Sequence, residues 1–173
     1  MKKKVLLHTC CAPCTTQVHV NLVCAGYAAA GFFYNPNIFP EKEYYERKSA
    51  MERYCSIVEL PMIYIENDLD HKSGNCNFCY KMRLEKTAHF AKSRGFDCFT
   101  TTLLISPYQK HDLIKSIGND IAKVVGIDFL YLDFRPDYYK GRDLARMYNL
   151  YRQKHCGCSV SIKTKGGKNE SPA

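Results

Sequence analysis

The sequence predicts a three-layer α/β fold built on a mainly parallel sheet, and three observations carry that prediction. Short apolar runs alternate with longer stretches whose apolar residues recur at helical spacing. Glycines and prolines stand at the joints between them. The chain has 173 residues, the size of one domain around one core. Strand alternating with helix inside one domain calls for parallel strands joined by helical crossovers.

Lys4 to Thr9 reads as the first strand, followed by a helix from Pro13 to Ala25. Pro13 suits a first helical turn and Gly26 a helix stop. Ala28 to Tyr34 is the second strand, ended by Asn35-Pro36-Asn37 and Pro40. Met51, Tyr54, Cys55 and Val58 mark the apolar stripe of a second helix, whose beginning carries Glu41 and Glu43 at the positive end of the dipole. Met62 to Ile65 is the third strand. Leu84, Thr87, Ala88 and Ala91 form the inner face of a helix that carries Cys76 and Cys79 near its start and stops at Gly95. Cys98 to Leu103 is the fourth strand, and Ser106-Pro107 opens a helix with Ile114, Ile117, Ile121 and Val124 spaced for burial. Asp128 to Phe134 is the fifth strand. Leu144, Met147, Tyr148 and Tyr151 give a last helix that delivers Cys156 and Cys158. Residues 1–163 read as a single α/β catalytic domain and 164–173 as a disordered basic tail.

A Rossmann-like sheet of this kind binds ligands beyond the carboxyl ends of its strands. Cys10 and Cys11 come directly after the first strand, and Cys76 and Cys79 lie between the third strand and its following helix, on that same rim.

Of the ten cysteines, most fall in tight clusters: Cys10-Cys11-Ala12-Pro13-Cys14, Cys76-Asn77-Phe78-Cys79 and Cys156-Gly157-Cys158. No apolar run is long enough to span a bilayer. The opening Met1 to His8 is too short in its apolar part for a secretory leader. Both point to the cytoplasm, where clustered cysteines bind metal or exchange electrons rather than staple the fold. Adjacent Cys10 and Cys11 can address one centre where a strand turns into a helix. Cys76 and Cys79, three apart at a helix start, share a face. These four thiolates match a [4Fe–4S] cluster or a zinc site with all-cysteine ligands, and spacing leaves that choice open. Cys14 is a spare ligand, a ligand to a second metal, or a packed thiol. Cys24, Cys55 and Cys98 sit alone in apolar patterns and read as core residues.

Cys156-Gly157-Cys158 differs, because a disulfide across one residue is a small, strained and easily reduced ring that needs the freedom of Gly157. The pair reads as a two-electron store, with metal chelation as the competing role. A one-electron cluster and a dithiol together supply the electron pair that most bond-breaking reductions need. That points to an oxidoreductase, with a zinc-stabilised nucleic-acid-binding module as the alternative. The net charge of +8, from 25 basic against 17 acidic residues, suits a polyanionic partner such as nucleic acid.

The string Leu6-Leu7-His8-Thr9-Cys10-Cys11-Ala12-Pro13-Cys14 resembles the opening of the QueH family of epoxyqueuosine reductases. Further fragments match in order: Phe33 to Ile38, Cys76 to Cys79, Arg83-Leu84, Thr101-Thr102-Leu103, Ser106-Pro107-Tyr108, and Tyr151-Arg152-Gln153 with Cys156-Gly157-Cys158. The family often has an aromatic residue where His155 stands. The resemblance implies reduction of epoxyqueuosine at the tRNA wobble position to queuosine, the last step of queuosine biosynthesis, without cobalamin. It implies a [4Fe–4S] cluster on Cys10, Cys11, Cys76 and Cys79, with an additional iron left open, and a redox-active pair of Cys156 and Cys158. Substrates would be the GUN-anticodon tRNAs for Tyr, His, Asn and Asp, served by an electron donor the sequence does not name. Tyr108, His8 and Asp70 are the candidate proton donors. Tyr44, Tyr45, Arg47 and Lys48 are candidates for RNA contact, or else a solvated helix face.

Overall fold

The computed structural model describes residues 2–66 and 75–158. Its strands are β1 (Lys4–His8), β2 (Ala28–Phe33), β3 (Met62–Tyr64), β4 (Cys98–Thr101) and β5 (Asp128–Phe129). Its helices are α1 (Ala12–Cys24), α2 (Glu41–Val58), α3 (Cys76–Ser93), α4 (His111–Val125) and α5 (Tyr138–Met147). The 5-stranded sheet runs β3-β2-β1-β4-β5, with every pair parallel. Central β1 is apolar without alternation, and Val5, Leu6 and Leu7 are all fully buried, as a strand covered on both faces must be. Helix α1 packs on α2 and α5, while α3 packs on α4. Right-handed crossovers accordingly put α1, α2 and α5 on one face and α3 and α4 on the other. The expected three-layer α/β architecture is the one observed.

The winding reverses between β1 and β4, since the chain moves outward through β2 and β3 and then returns to the other side of β1. At such a switch point the loops leaving two adjacent strands part and open a crevice. The loop after β1 brings Cys10 and Cys11 there, and the loop after β4 brings Thr101 and Thr102.

Several element boundaries differ from the sequence reading. The fourth strand stops at Thr101, whose hydroxyl oxygen accepts from the Leu103 N–H at 3.1 Å and starts a 3-10 turn over Thr102–Ile105. Ser106-Pro107 does not open the next helix. The Ser106 hydroxyl accepts from the Tyr108 N–H at 3.3 Å, and α4 begins only at His111. The fifth strand is far shorter than Asp128 to Phe134. Its ladder ends where the Leu130 N–H donates to the Phe99 carbonyl at 2.8 Å. The last helix starts earlier than its apolar stripe and ends at Met147, before Asn149 turns the chain with a left-handed backbone (φ 51°). The remaining residues to Cys158 leave as an irregular strap. The basic tail expected over 164–173 lies outside the described residues. No helix among the described residues is long and apolar enough to cross a membrane.

Gly118 of α4 sits so close to β5 that a Cβ there would meet the Phe129 ring at 2.4 Å. Alanine gains about 1 kcal/mol in helix propensity, whereas overpacking a fitted contact costs about 1–3 kcal/mol. Gly118→Ala is expected to lower the urea midpoint, and a midpoint at or above that of the parent protein would contradict this packing.

Candidate active site

Cys11 caps α1 in extended conformation, so the Cys10-Cys11 turn rests against the amino end of that helix. The Cys10 and Cys11 sulfurs are 3.6 Å apart. Cys14, in the first turns of α1, joins them, with all three sulfurs within 4.8 Å of one another. Among the described residues no other group of three or more His, Cys, Asp or Glu side chains comes as close. The end of β4 secures the turn: the Thr102 hydroxyl oxygen accepts from the Cys10 N–H at 3.1 Å and donates to the Cys10 sulfur at 3.3 Å. Hydrogen bonds from Cys11 and Cys14, with help from Thr102, hold the Cys10 thiol well below its usual range against the opposing effect of burial. Burial and the neighbouring Cys10 push Cys11 up. Hydrogen bonding to Cys10 and Cys11, together with burial, pushes Cys14 up. The triad's own hydrogen bonds thus lower Cys10 and raise Cys14, while burial is the main cause that raises Cys11.

Cys76 and Cys79 open α3, whose amino end is capped by Asn75 accepting from the Phe78 N–H at 3.1 Å. The two are not equivalent: Cys79 is buried and Cys76 exposed. The Asn37 amide donates to the Cys79 sulfur at 2.9 Å, and its oxygen accepts from Arg83 Nε at 3.0 Å and Nη2 at 2.6 Å. Burial holds Arg83 below the usual arginine range, while the charges of Cys10 and Cys79 oppose that fall. One buried guanidinium is thus close enough to feel sulfurs from both clusters. The structure brings Cys10, Cys11 and Cys14 into one group, links Cys79 to Arg83 through Asn37, and leaves Cys76 exposed.

The Cys156 and Cys158 sulfurs are 3.4 Å apart. Gly157 between them has φ +106°, the backbone freedom the sequence reading required. Cys79 feels the charge of both. The strap is joined to the triad by Gln153, whose amide nitrogen donates to the Cys11 sulfur at 2.8 Å. Nothing in the spacing of residues singles out Gln153.

The proton-donor candidates separate. Both ring nitrogens of His8 are engaged: Nε2 faces the Tyr34 carbonyl at 3.2 Å and Nδ1 the Thr101 hydroxyl at 2.9 Å. A carbonyl only accepts, so the proton sits on Nε2 and Nδ1 accepts from Thr101. Burial and the nearby Arg83 lower His8 to about 4, which leaves it neutral and structural near pH 7. Tyr108 is 58% exposed and meets the Tyr138 ring edge-on at 6.0 Å. Asp70 lies outside the described residues.

A profile described as Epoxyqueuosine reductase QueH matches residues 5–164. The chain belongs to the epoxyqueuosine reductase QueH family. The protein named Epoxyqueuosine reductase QueH from Dehalococcoides mccartyi is 36% identical, over 100% of both chains. Its namesake from Thermotoga maritima is 36% identical over 91% of this chain and 90% of its own. Among solved structures, U34-tRNA thiolase NcsA from Methanococcus maripaludis with its [4Fe-4S] cluster is similar at 12% identity and a TM-score of 0.44. That match covers 99% of this chain and 83% of that one. So loose a likeness bears on neither site nor reaction.

As a QueH-family protein the chain is an oxidoreductase, and two groups of side chains read differently in the fold than in the sequence. Tyr44 and Arg47, candidates for RNA contact, are buried, so neither that role nor a solvated face describes them. Tyr45 is exposed, and Lys48 pairs with Glu52 and Glu66. Cys55 and Cys98 are core residues as expected, but Cys24 ends α1 in solvent. Arg47 was legible in principle, since it lies one and two turns before Met51 and Tyr54 on the buried stripe of α2. Asn37 holds Arg83 and Cys79 together, so Asn37→Ala would leave a buried guanidinium without its acceptor. The expected cost is about 1–3 kcal/mol in chemical denaturation, and an unchanged midpoint would remove Asn37 from the site's framework.

Proposed function

We propose that this chain reduces the epoxide of epoxyqueuosine at the tRNA wobble position to the alkene of queuosine, without cobalamin, with Cys156 and Cys158 as its dithiol. The observation that carries the reading is the strap, which holds two sulfurs 3.4 Å apart on the segment that Gln153 ties to Cys11. The reaction balances on that pair. Removing the epoxide oxygen as water takes two electrons and two protons, and closing a dithiol to a disulfide releases two of each. Epoxide and dithiol thus become alkene, water and disulfide, and an external reductant reopens the disulfide by thiol exchange or electron transfer. Closing the disulfide brings the two sulfurs to about 2.05 Å.

Cys10, Cys11, Cys76 and Cys79 are the proposed ligands of a [4Fe–4S] cluster. The donor set fits: soft thiols from two elements, the Cys10 sulfur easily ionised, and the buried Arg83 cation facing both clusters. When bound, such a cluster supplies single electrons and a Lewis-acidic iron for an epoxide oxygen. This chain's own residues do the rest: Arg83 and Arg47 balance the negative charge of the thiolates, and Thr102 fixes the Cys10 turn. Tyr108 stands at the accessible rim, where Tyr138 is close enough to feel the charge of Cys14. Tyr108 is the better-placed proton donor, and the two rings offer a wobble base splayed from its loop a surface to stack on. The substrates are tRNAs with a GUN anticodon, for Tyr, His, Asn and Asp.

Cys14 is the specific reason for a second ligand set, because it stands with Cys10 and Cys11 while Cys76 does not. Anaerobic reconstitution with iron and sulfide followed by metal counting decides between them. Cys76→Ala is expected to lower bound iron and Cys14→Ala to leave it unchanged; the reverse moves the fourth ligand to Cys14. A colourless protein that retains zinc would favour the nucleic-acid-binding module instead. Cys156→Ser should keep its iron and lose turnover of epoxyqueuosine-containing tRNA, and wild-type turnover would remove the dithiol from the mechanism. Affinity for tRNA should fall steeply with added salt, whereas a flat response would count against phosphate contacts.

A further inference from the structure

Helix α2 carries an ion pair in the protein interior, Glu43 and Arg47, only 7% and 2% exposed, with Nε donating to Oε1 at 2.7 Å. Burying both charges costs more than an apolar pair would, so α2 packing alone does not account for it. The other donors of the guanidinium point to the strap. Nη1 donates to the Cys156 carbonyl at 3.1 Å and Nη2 to the His155 carbonyl at 2.8 Å. The other Glu43 oxygen accepts from the Tyr151 hydroxyl at 2.6 Å. Gly157 lies flat on the guanidinium, where a Cβ would meet Nη1 at 3.0 Å and Cζ and Nη2 at 3.2 Å. The Phe39 N–H closes the seat from above by donating to the Gly157 carbonyl at 2.7 Å.

We propose that Arg47, oriented by Glu43, is the positioning residue that seats the Cys156-Gly157-Cys158 turn and holds its two thiols at the rim shared with Cys10, Cys11 and Cys79. The inference rests on the reading of that pair as the reaction's dithiol. Only arginine performs this task, because its planar fork addresses a carboxylate and two successive carbonyls at once, whereas a lysine ammonium cannot hold all three in that geometry. Glycine at 157 serves the seat as well as the turn, since any side chain would press on the fork. A seated turn presents both sulfurs to the substrate without first ordering the strap, which is how fixed geometry raises a rate.

The test uses the reconstituted, iron-loaded full-length protein and the Arg47→Lys variant, which keeps the charge and the reach to Glu43. Turnover is measured on epoxyqueuosine-containing tRNA, and strap exposure by trypsin cleavage after the exposed Arg152 and Lys154. The expected result is kcat lowered about 10- to 100-fold with KM unchanged, cleavage several-fold faster, and iron content retained. Because Arg47→Lys disturbs the interior, Gly157→Ala tests the same seat from the strap side and should give the same split of kcat from KM. Unchanged cleavage in both variants would overturn the seat. Faster cleavage with unchanged kcat would overturn the positioning role, and wild-type turnover in Cys156→Ser would then trace that failure to the dithiol reading itself.

Discussion

Two guanidinium groups buried among thiols are the constraint on which the rest of this structure depends. A cation in a protein interior must be compensated, and burial alone works against it. Arg83 donates to a neutral amide, Asn37, and the largest charge opposing the effect of its burial is that of Cys10. Arg47 has a carboxylate in Glu43 and also feels Cys11 and Cys10. The pocket is thereby prepared for anionic sulfur before any ligand arrives.

The topology explains why these groups meet. Cys10 and Cys11 follow β1, Thr102 follows β4, Asn37 follows β2, and Cys79 opens the helix after β3. All are products of carboxyl ends in one parallel sheet, gathered at its switch point. The strap enters from elsewhere. It leaves α5, whose partner is α1, and crosses the rim to reach α2 and the Cys11 sulfur. Cysteines separated by most of the chain thus share neighbours, although no two of the three clusters belong to the same connection.

Much of this was legible before coordinates, and the reasons are specific. Continuous apolar runs such as Val5-Leu6-Leu7 mark a strand buried on both faces, and β1 fixes the position of Cys10 and Cys11. Helical spacing placed Cys76 and Cys79 at the start of α3. What periodicity could not read is where polar groups compete with regular structure. The Ser106 hydroxyl diverts a helix start, the Thr101 hydroxyl ends a strand, and Asn149 turns the chain by backbone conformation. Each is a side-chain or dihedral event with no apolar signature. The misreading of Arg47 has a different cause. Charged residues on a helix are assigned to solvent by default, yet here residue 47 falls on the stripe of Met51 and Tyr54. The stripe was the stronger signal. Gln153 stood in a fragment shared with the QueH family, but spacing and periodicity gave it no role, because its partner is a sulfur at the opposite end of the sequence.

The same geometry bears on what kind of thiol chemistry the pocket suits. A closed structural metal site gathers its four ligands around one point and seals them from solvent, so its remaining surroundings have little left to do. Here three sulfurs adjoin, a fourth is buried behind Asn37, a fifth stands at the rim, and a dithiol waits on a strap seated by its own buried ion pair. Sulfur that only held the fold together would not need a hydroxyl, two amides and two guanidiniums arranged around it. Groups that stabilise thiolate also stabilise the reduced form of any pair they touch, so they trade reducing power for a ready nucleophile. The strap's His155 and Cys156 carbonyls are the groups that Arg47 grips, so its seat is built on the backbone.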